Sequence, residues 1–116
     1  HIEEGFYVSP DNILGRLLNK RKPRGLIGSN MSFSRKAIED LNGFDEDFIL
    51  PAIGEDADLN WRFRAAGYQF RSVRNLAIQY HLFHKENWKD QSENAALMEL
   101  KIAKNEFRCK NGLKKM

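Results

Sequence analysis

Between Gly54 and Gly67 the residues leave the backbone one obvious choice. Glu55 to Ala66 places Leu59, Phe63 and Ala66 on one side at helical spacing, opens with three carboxylates, and stops at a glycine. Acidic side chains suit that opening because the first-turn N–H groups have no intrahelical acceptor and the helix macrodipole is positive there. Asp58 and Arg62 stand four residues apart and can pair across one turn. The chain must therefore fold around an amphipathic helix of about three turns with an acidic start.

The other elements are shorter and punctuated by Gly, Asn and Pro. Residues 10–19 read as a helix with Ile13, Leu14, Leu17 and Leu18 on one face, followed by a loop over 20–24. Residues 25–33 read as a strand, and 34–41 as a helix ended by Asn42-Gly43. Residues 68–73 and 76–80 read as strands, and 92–107 as a helix with Leu97, Leu100 and Phe107 as buried candidates. There is no repeat and no low-complexity tract, so the expectation is a mixed α/β layout.

The 116 residues suffice for one domain or a large piece of one. Cys109 is the only cysteine and cannot form an intramolecular disulfide, which fits a reducing compartment or an inert thiol, and a cytoplasmic address is expected. No run approaches the roughly 20 apolar residues that span a bilayer, and no basic-then-apolar leader opens the chain. The start at His1, leading into Gly5-Phe6-Tyr7-Val8, is expected to lie inside a longer polypeptide.

Net charge is +3, unevenly spread. Residues 39–58 hold eight of the sixteen acidic side chains, whereas Lys20, Arg21, Lys22 and Arg24 form a basic run and Lys110, Lys114 and Lys115 a basic tail. Such runs are either solvated loops or attractors of phosphate, whether nucleic acid, an anionic membrane surface or a nucleotide-sugar. A nucleic-acid module needs aromatics interleaved with its cations, and the run from Lys20 to Arg24 has none, so no nucleic-acid partner is expected.

Two places carry chemistry. In Gly54-Glu55-Asp56-Ala57-Asp58, a carboxylate ionised at the helix start can take a proton, or can simply cap the helix. In Tyr80-His81-Leu82-Phe83-His84, two imidazoles three residues apart can share a divalent ion if the chain turns, or can be ordinary hydrogen-bonded histidines. Two ligands do not close a metal site, so carboxylates or a substrate phosphate would have to complete it.

Taken in order, Gly28-Ser29-Asn30-Met31-Ser32-Phe33-Ser34-Arg35-Lys36, Gly43-Phe44-Asp45-Glu46-Asp47-Phe48, Gly54-Glu55-Asp56-Ala57-Asp58-Leu59-Asn60-Trp61-Arg62 and Tyr80-His81-Leu82-Phe83-His84 resemble the C-terminal half of family 2 glycosyltransferases. Galactosyltransferase-like C-terminal domains of bacterial polysaccharide and lipopolysaccharide transferases are the nearest look-alikes, and the tail Arg108-Cys109-Lys110-Asn111-Gly112-Leu113 also resembles the end of such enzymes.

The resemblance implies the C-terminal, acceptor- and metal-binding part of a GT-A fold over residues 1–116, a mixed sheet with flanking helices. It places the catalytic base on Asp56, with Glu55 beside it to bind acceptor or orient the base. Asn30, Gly54 and Arg62 are implied as substrate-binding, and His81, then His84, as ligands of a divalent ion, Mn²⁺ or else Mg²⁺. The implied reaction is inverting transfer of a sugar from a nucleotide-sugar, a UDP-sugar above all, to a glycan or lipid-linked acceptor; the basic segments leave peripheral contact at the inner membrane face open.

The family's Asp-x-Asp, which holds metal and donor, precedes this region and is absent here. The donor-binding half is therefore expected upstream, and this stretch alone is expected to be inactive. Leu50-Pro51-Ala52-Ile53 also stands where the family often has a tryptophan. A non-catalytic carbohydrate- or metal-binding module is the alternative, with a basic nucleic-acid-binding module ranked below it, and oligomeric state is not readable.

Overall fold

The computed structural model describes residues 12–20, 25–50, 54–73, 79, 82, 85 and 90–116. The chain divides into two compact units, one comprising His1–Arg24 and Phe70–Asn87, the other Gly25–Gln69 and Trp88–Met116. The described residues contain helix α1 (Ile13–Asn19) in the first unit, and α2 (Arg35–Asp40), α3 (Glu55–Ala65) and α4 (Ser92–Ala103) in the second.

The expected α/β fold with a GT-A-type mixed sheet is not what forms. Among the described residues the β structure is a single isolated bridge, Asn111 with Lys115. Residues 25–33 are irregular and turn at Ile27, whose carbonyl accepts the Asn30 N–H at 2.9 Å. The reason is a long-range one: the Leu26 and Gly28 amides bond to side chains of α3 rather than to a neighbouring strand. Residues 68–73 are also irregular, and of 76–80 only Gln79 lies among the described residues.

The helix ends follow the sequence closely. Ser34 caps α2, its Oγ accepting the Ala37 N–H at 3.2 Å, and the Asn12 side chain caps α1 by accepting the Gly15 N–H at 2.7 Å. α2, α3 and α4 all end in the same left-handed closure, at Asn42 (φ 66°), Gly67 (φ 83°) and Asn105 (φ 52°). In each, the left-handed residue and its successor donate back to two carbonyls of the last turn: Asn42 to Glu39 and Gly43 to Ile38, Gly67 to Arg64 and Tyr68 to Phe63, Asn105 to Ile102 and Glu106 to Lys101. The apolar contact that accompanies this motif is present at α3, where the Tyr68 ring meets the Phe63 ring edge-on at 5.5 Å. Asn105 also explains why α4 stops at Ala103 instead of running to 107.

The interior of the second unit is as polar as it is apolar. Ala37, Leu41, Leu59, Phe63 and Cys109 are its buried apolar side chains, and Asn42, Asp45, Asp58, Arg62, Asn94 and Lys101 are buried with them. On α3 the expected stripe holds for Leu59 and Phe63, while Ala66 is half-buried. On α4 the expected face does not: Leu100 is exposed and Leu97 and Phe107 are half-buried. Asn94 and Lys101, two turns apart, face inward because each meets polar partners there. Asn94 donates to the Leu50 carbonyl at 3.0 Å, and Lys101 bridges the Asp45 and Asp47 carboxylates.

Asn42 closes the structure from below. Its amide donates to the Cys109 and Lys114 carbonyls, both at 2.8 Å, and its side-chain oxygen accepts the Lys114 N–H at 2.9 Å. The C-terminal segment is thereby clasped onto the end of α2. Gly112 permits the approach, since a Cβ there would fall 1.9 Å from the Asn42 carbonyl oxygen.

Candidate active site

The acidic start of α3 is fixed from outside by the segment before α2. Gly54 is the N-cap and offers no side chain, so Glu55 and Asp56 occupy a first turn whose N–H groups are otherwise unpaired. Asp56 uses both carboxylate oxygens: Oδ1 accepts the Ala57 N–H at 2.7 Å and Oδ2 the Gly28 N–H at 3.2 Å. One turn along, Asn60 Oδ1 accepts the Leu26 N–H at 3.3 Å. Two residues of extended chain and four residues of helix both rise about 6–7 Å, so alternate amides of 25–28 meet successive turns of α3.

This match holds the 27–30 turn beside Asp56. A Cβ on Gly28 would stand 3.8 Å from Glu55 Oε1 and 3.9 Å from Asp56 Oδ2, so the glycine faces both carboxylates. Asp56 is half-buried, while Glu55 and Asn30 are exposed. Three of the expected site residues, Glu55, Asp56 and Asn30, thus come from a helix start and a turn that the structure brings to one edge. Gly28 and Asn60 belong with them and were not anticipated. The signal for Asn60 was its place one turn after Asp56.

Arg62 and Gly54 are placed otherwise. Arg62, expected to touch substrate, is fully buried, because every nitrogen of its guanidinium is engaged. Nε bonds Asp58 Oδ2 at 2.7 Å, Nη1 bonds the Leu41 and Gly43 carbonyls at 3.1 and 3.0 Å, and Nη2 bonds Gly43 and Asp58. Asp58 completes its own set by accepting the Trp61 Nε1–H at 3.1 Å. Burial pushes the Asp58 carboxyl above its usual value, against the opposing pull of Arg62 and Trp61. The expected pairing of Asp58 with Arg62 is therefore present, and it ties α3 to the end of α2. Gly54 is likewise buried, packed against the Leu50 carbonyl and the Asn94 amide.

His81 and His84 lie outside the described residues. Among the described residues no three His, Cys, Asp or Glu side chains gather into a group that could hold a metal ion. Glu55 and Asp56 thus show no third ligand among those residues. No helix among them is long and apolar enough to cross a membrane.

This carboxylate, held by backbone amides at the start of α3 with the 27–30 turn beside it, lies within a glycosyltransferase-like domain. The chain is a member of the family described as the N-terminal domain of galactosyltransferase, which matches residues 16–85. Such a domain serves proteins that bind a sugar donor and an acceptor. The match corrects the resemblance drawn from the motifs: it spans all four of them but supports an N-terminal galactosyltransferase domain, not the C-terminal half of a family 2 enzyme, and it leaves out the tail 108–113. No curated protein and no solved structure matches the chain.

Proposed function

We propose that this chain contributes the acceptor-activating side of an inverting glycosyltransferase that moves a sugar from a UDP-sugar to a glycan or lipid-linked acceptor. The observation that supports this reading most is the setting of Asp56. Its two oxygens are oriented by the Ala57 and Gly28 amides, yet the group is not sealed off from solvent. Each carboxylate oxygen has a second lone pair, so an acceptor hydroxyl can still donate to it.

Asp56 takes the hydroxyl proton as the acceptor oxygen attacks the anomeric carbon. The bond to the nucleotide diphosphate breaks on the opposite side, which inverts configuration. Glu55 orients the acceptor or the base, and Asn30, on the facing turn, hydrogen-bonds the sugar. His81 and then His84 are the proposed ligands of a divalent ion, Mn²⁺ or Mg²⁺, which when bound supplies charge stabilisation for the departing diphosphate. Asp58 plays no part in proton transfer, since Arg62 and Trp61 occupy it.

The test is release of UDP from a panel of UDP-sugars in Mn²⁺, by the 116-residue chain and by any longer natural polypeptide that carries it. Asp56→Asn is expected to reduce turnover by about a hundred- to ten-thousand-fold with the fold retained. His81→Ala is expected to raise the Mn²⁺ concentration needed. Turnover that survives Asp56→Asn would refute the assigned base. Sugar or Mn²⁺ binding without release in any form would point instead to a non-catalytic binding module.

A further inference from the structure

The first unit carries a feature that sugar transfer does not use. On α1, Ile13, Leu14 and Leu17 are 80%, 56% and 58% exposed, and helical spacing puts the three within about a third of the circumference. Arg16 and Lys20 are exposed on the border of that arc. In sequence the helix runs into Lys20, Arg21, Lys22 and Arg24, so five of the nine residues 16–24 are basic and none is acidic.

The two units also differ in charge. His1–Arg24 with Phe70–Asn87 holds eight Lys and Arg against four Asp and Glu, whereas the remaining residues hold eleven against twelve. The whole positive excess of the protein thus belongs to the unit that exposes this apolar face.

We infer that α1, whose sequence continues directly into that basic run, docks on an anionic lipid bilayer. An apolar arc bordered by Lys and Arg lies in the plane of a membrane interface, its apolar side chains among the acyl chains and its cations among acidic headgroups. Four to eight adjacent cations are the usual size of such a patch. Nucleic acid would use the cations but leave Ile13, Leu14 and Leu17 in water, and 16–24 offers no aromatic for base stacking. A second copy of the chain would cover the apolar arc but would bring the same positive charge against itself.

The experiment is co-sedimentation of the full chain with vesicles of equal parts phosphatidylcholine and phosphatidylglycerol, beside vesicles of phosphatidylcholine alone. Binding is expected only to the anionic vesicles and is expected to weaken as salt rises, since the headgroup attraction is screened. Leu14→Glu with Leu17→Glu, on exposed positions, is expected to lower partitioning about tenfold or more while leaving the far-ultraviolet circular dichroism unchanged. Failure to bind anionic vesicles would overturn the inference. So would equal binding by the double variant, tighter binding to DNA at matched phosphate, or a dimer by sedimentation velocity that the double variant abolishes.

Discussion

Asp56 and Asp58 lie on the same helix, two residues apart, and live in different chemistry. Asp56 meets backbone amides at a half-exposed edge, while Asp58 sits fully buried between a guanidinium and an indole N–H. A turn of helix rotates neighbouring side chains by about 100° per residue, so a shift of two positions carries a carboxylate from the rim to the interior. The comparison teaches that an acidic cluster is not one site. Its members divide by the face they occupy, one half-exposed on backbone amides and one buried and committed to holding the fold.

The largest test of that division is Arg62→Met. It leaves the Asp58 charge buried without its partner and takes the guanidinium donors away from the Leu41 and Gly43 carbonyls, so a loss of about 3–5 kcal/mol in urea unfolding is expected. Asp56→Asn, by contrast, should cost no more than about 1 kcal/mol, because its one amide oxygen keeps one of the two backbone N–H bonds and the site is half-exposed. Similar losses from both substitutions would erase the distinction.

Asn42→Ala comes next. It removes three hydrogen bonds of the C-terminal clasp and puts a Cβ-bearing residue without side-chain help into the left-handed region, for a loss of about 2–4 kcal/mol. Asn42→Gly should recover the backbone part alone, which separates the two contributions.

The smallest effect is a pH dependence. Hydrogen bonds from Lys101 and Asn111 hold the Asp47 carboxyl below its ordinary 3.8, so its contribution is present above that value and is lost as pH falls through the folded pKa. Lys101 moves the other way: burial lowers it, but its bonds to Asp45 and Asp47 outweigh burial and raise it above 10.5, so this contribution is lost only as pH rises past the folded value. Asp47→Asn is expected to flatten the decline in stability below about pH 4, followed by thermal unfolding across an acid series. An unchanged slope would show that this pair, unlike Asp58 with Arg62, adds nothing measurable.

The ends of α2 and α3 were legible because they are written in single residues. Asn42, Gly67 and Ser34 each do locally what their side chains allow, as does the pairing of Asp58 with Arg62 across one turn. The sheet was misread for the opposite reason. Residues 25–33 have enough Leu, Ile, Met and Phe to read as a strand, but whether an amide bonds to a strand or to Asp56 and Asn60 depends on a partner 28 to 34 residues away. The α4 face failed similarly, because a hydrophobic count favours Leu97 and Leu100, and only the placement of Asp45, Asp47 and Leu50 makes Lys101 and Asn94 the inward pair. Within the candidate site, the start of α3 beneath Asp56 and Glu55 was legible from its acidic opening, while the burial of Arg62 was invisible without knowing that the end of α2 would meet it.

Cys109 is 1% exposed, and its sulfur lies 3.5–3.9 Å from the carbonyl oxygens of Leu41, Asn42, Gly43 and Phe44. Burial raises its pKa, which keeps it in the unreactive thiol form. The protein therefore contains its own clock. A disulfide reagent such as Ellman's can reach this sulfur only when the end of α2 and the C-terminal segment part, so at reagent concentrations high enough to outpace reclosing the rate of colour release is the rate of those openings.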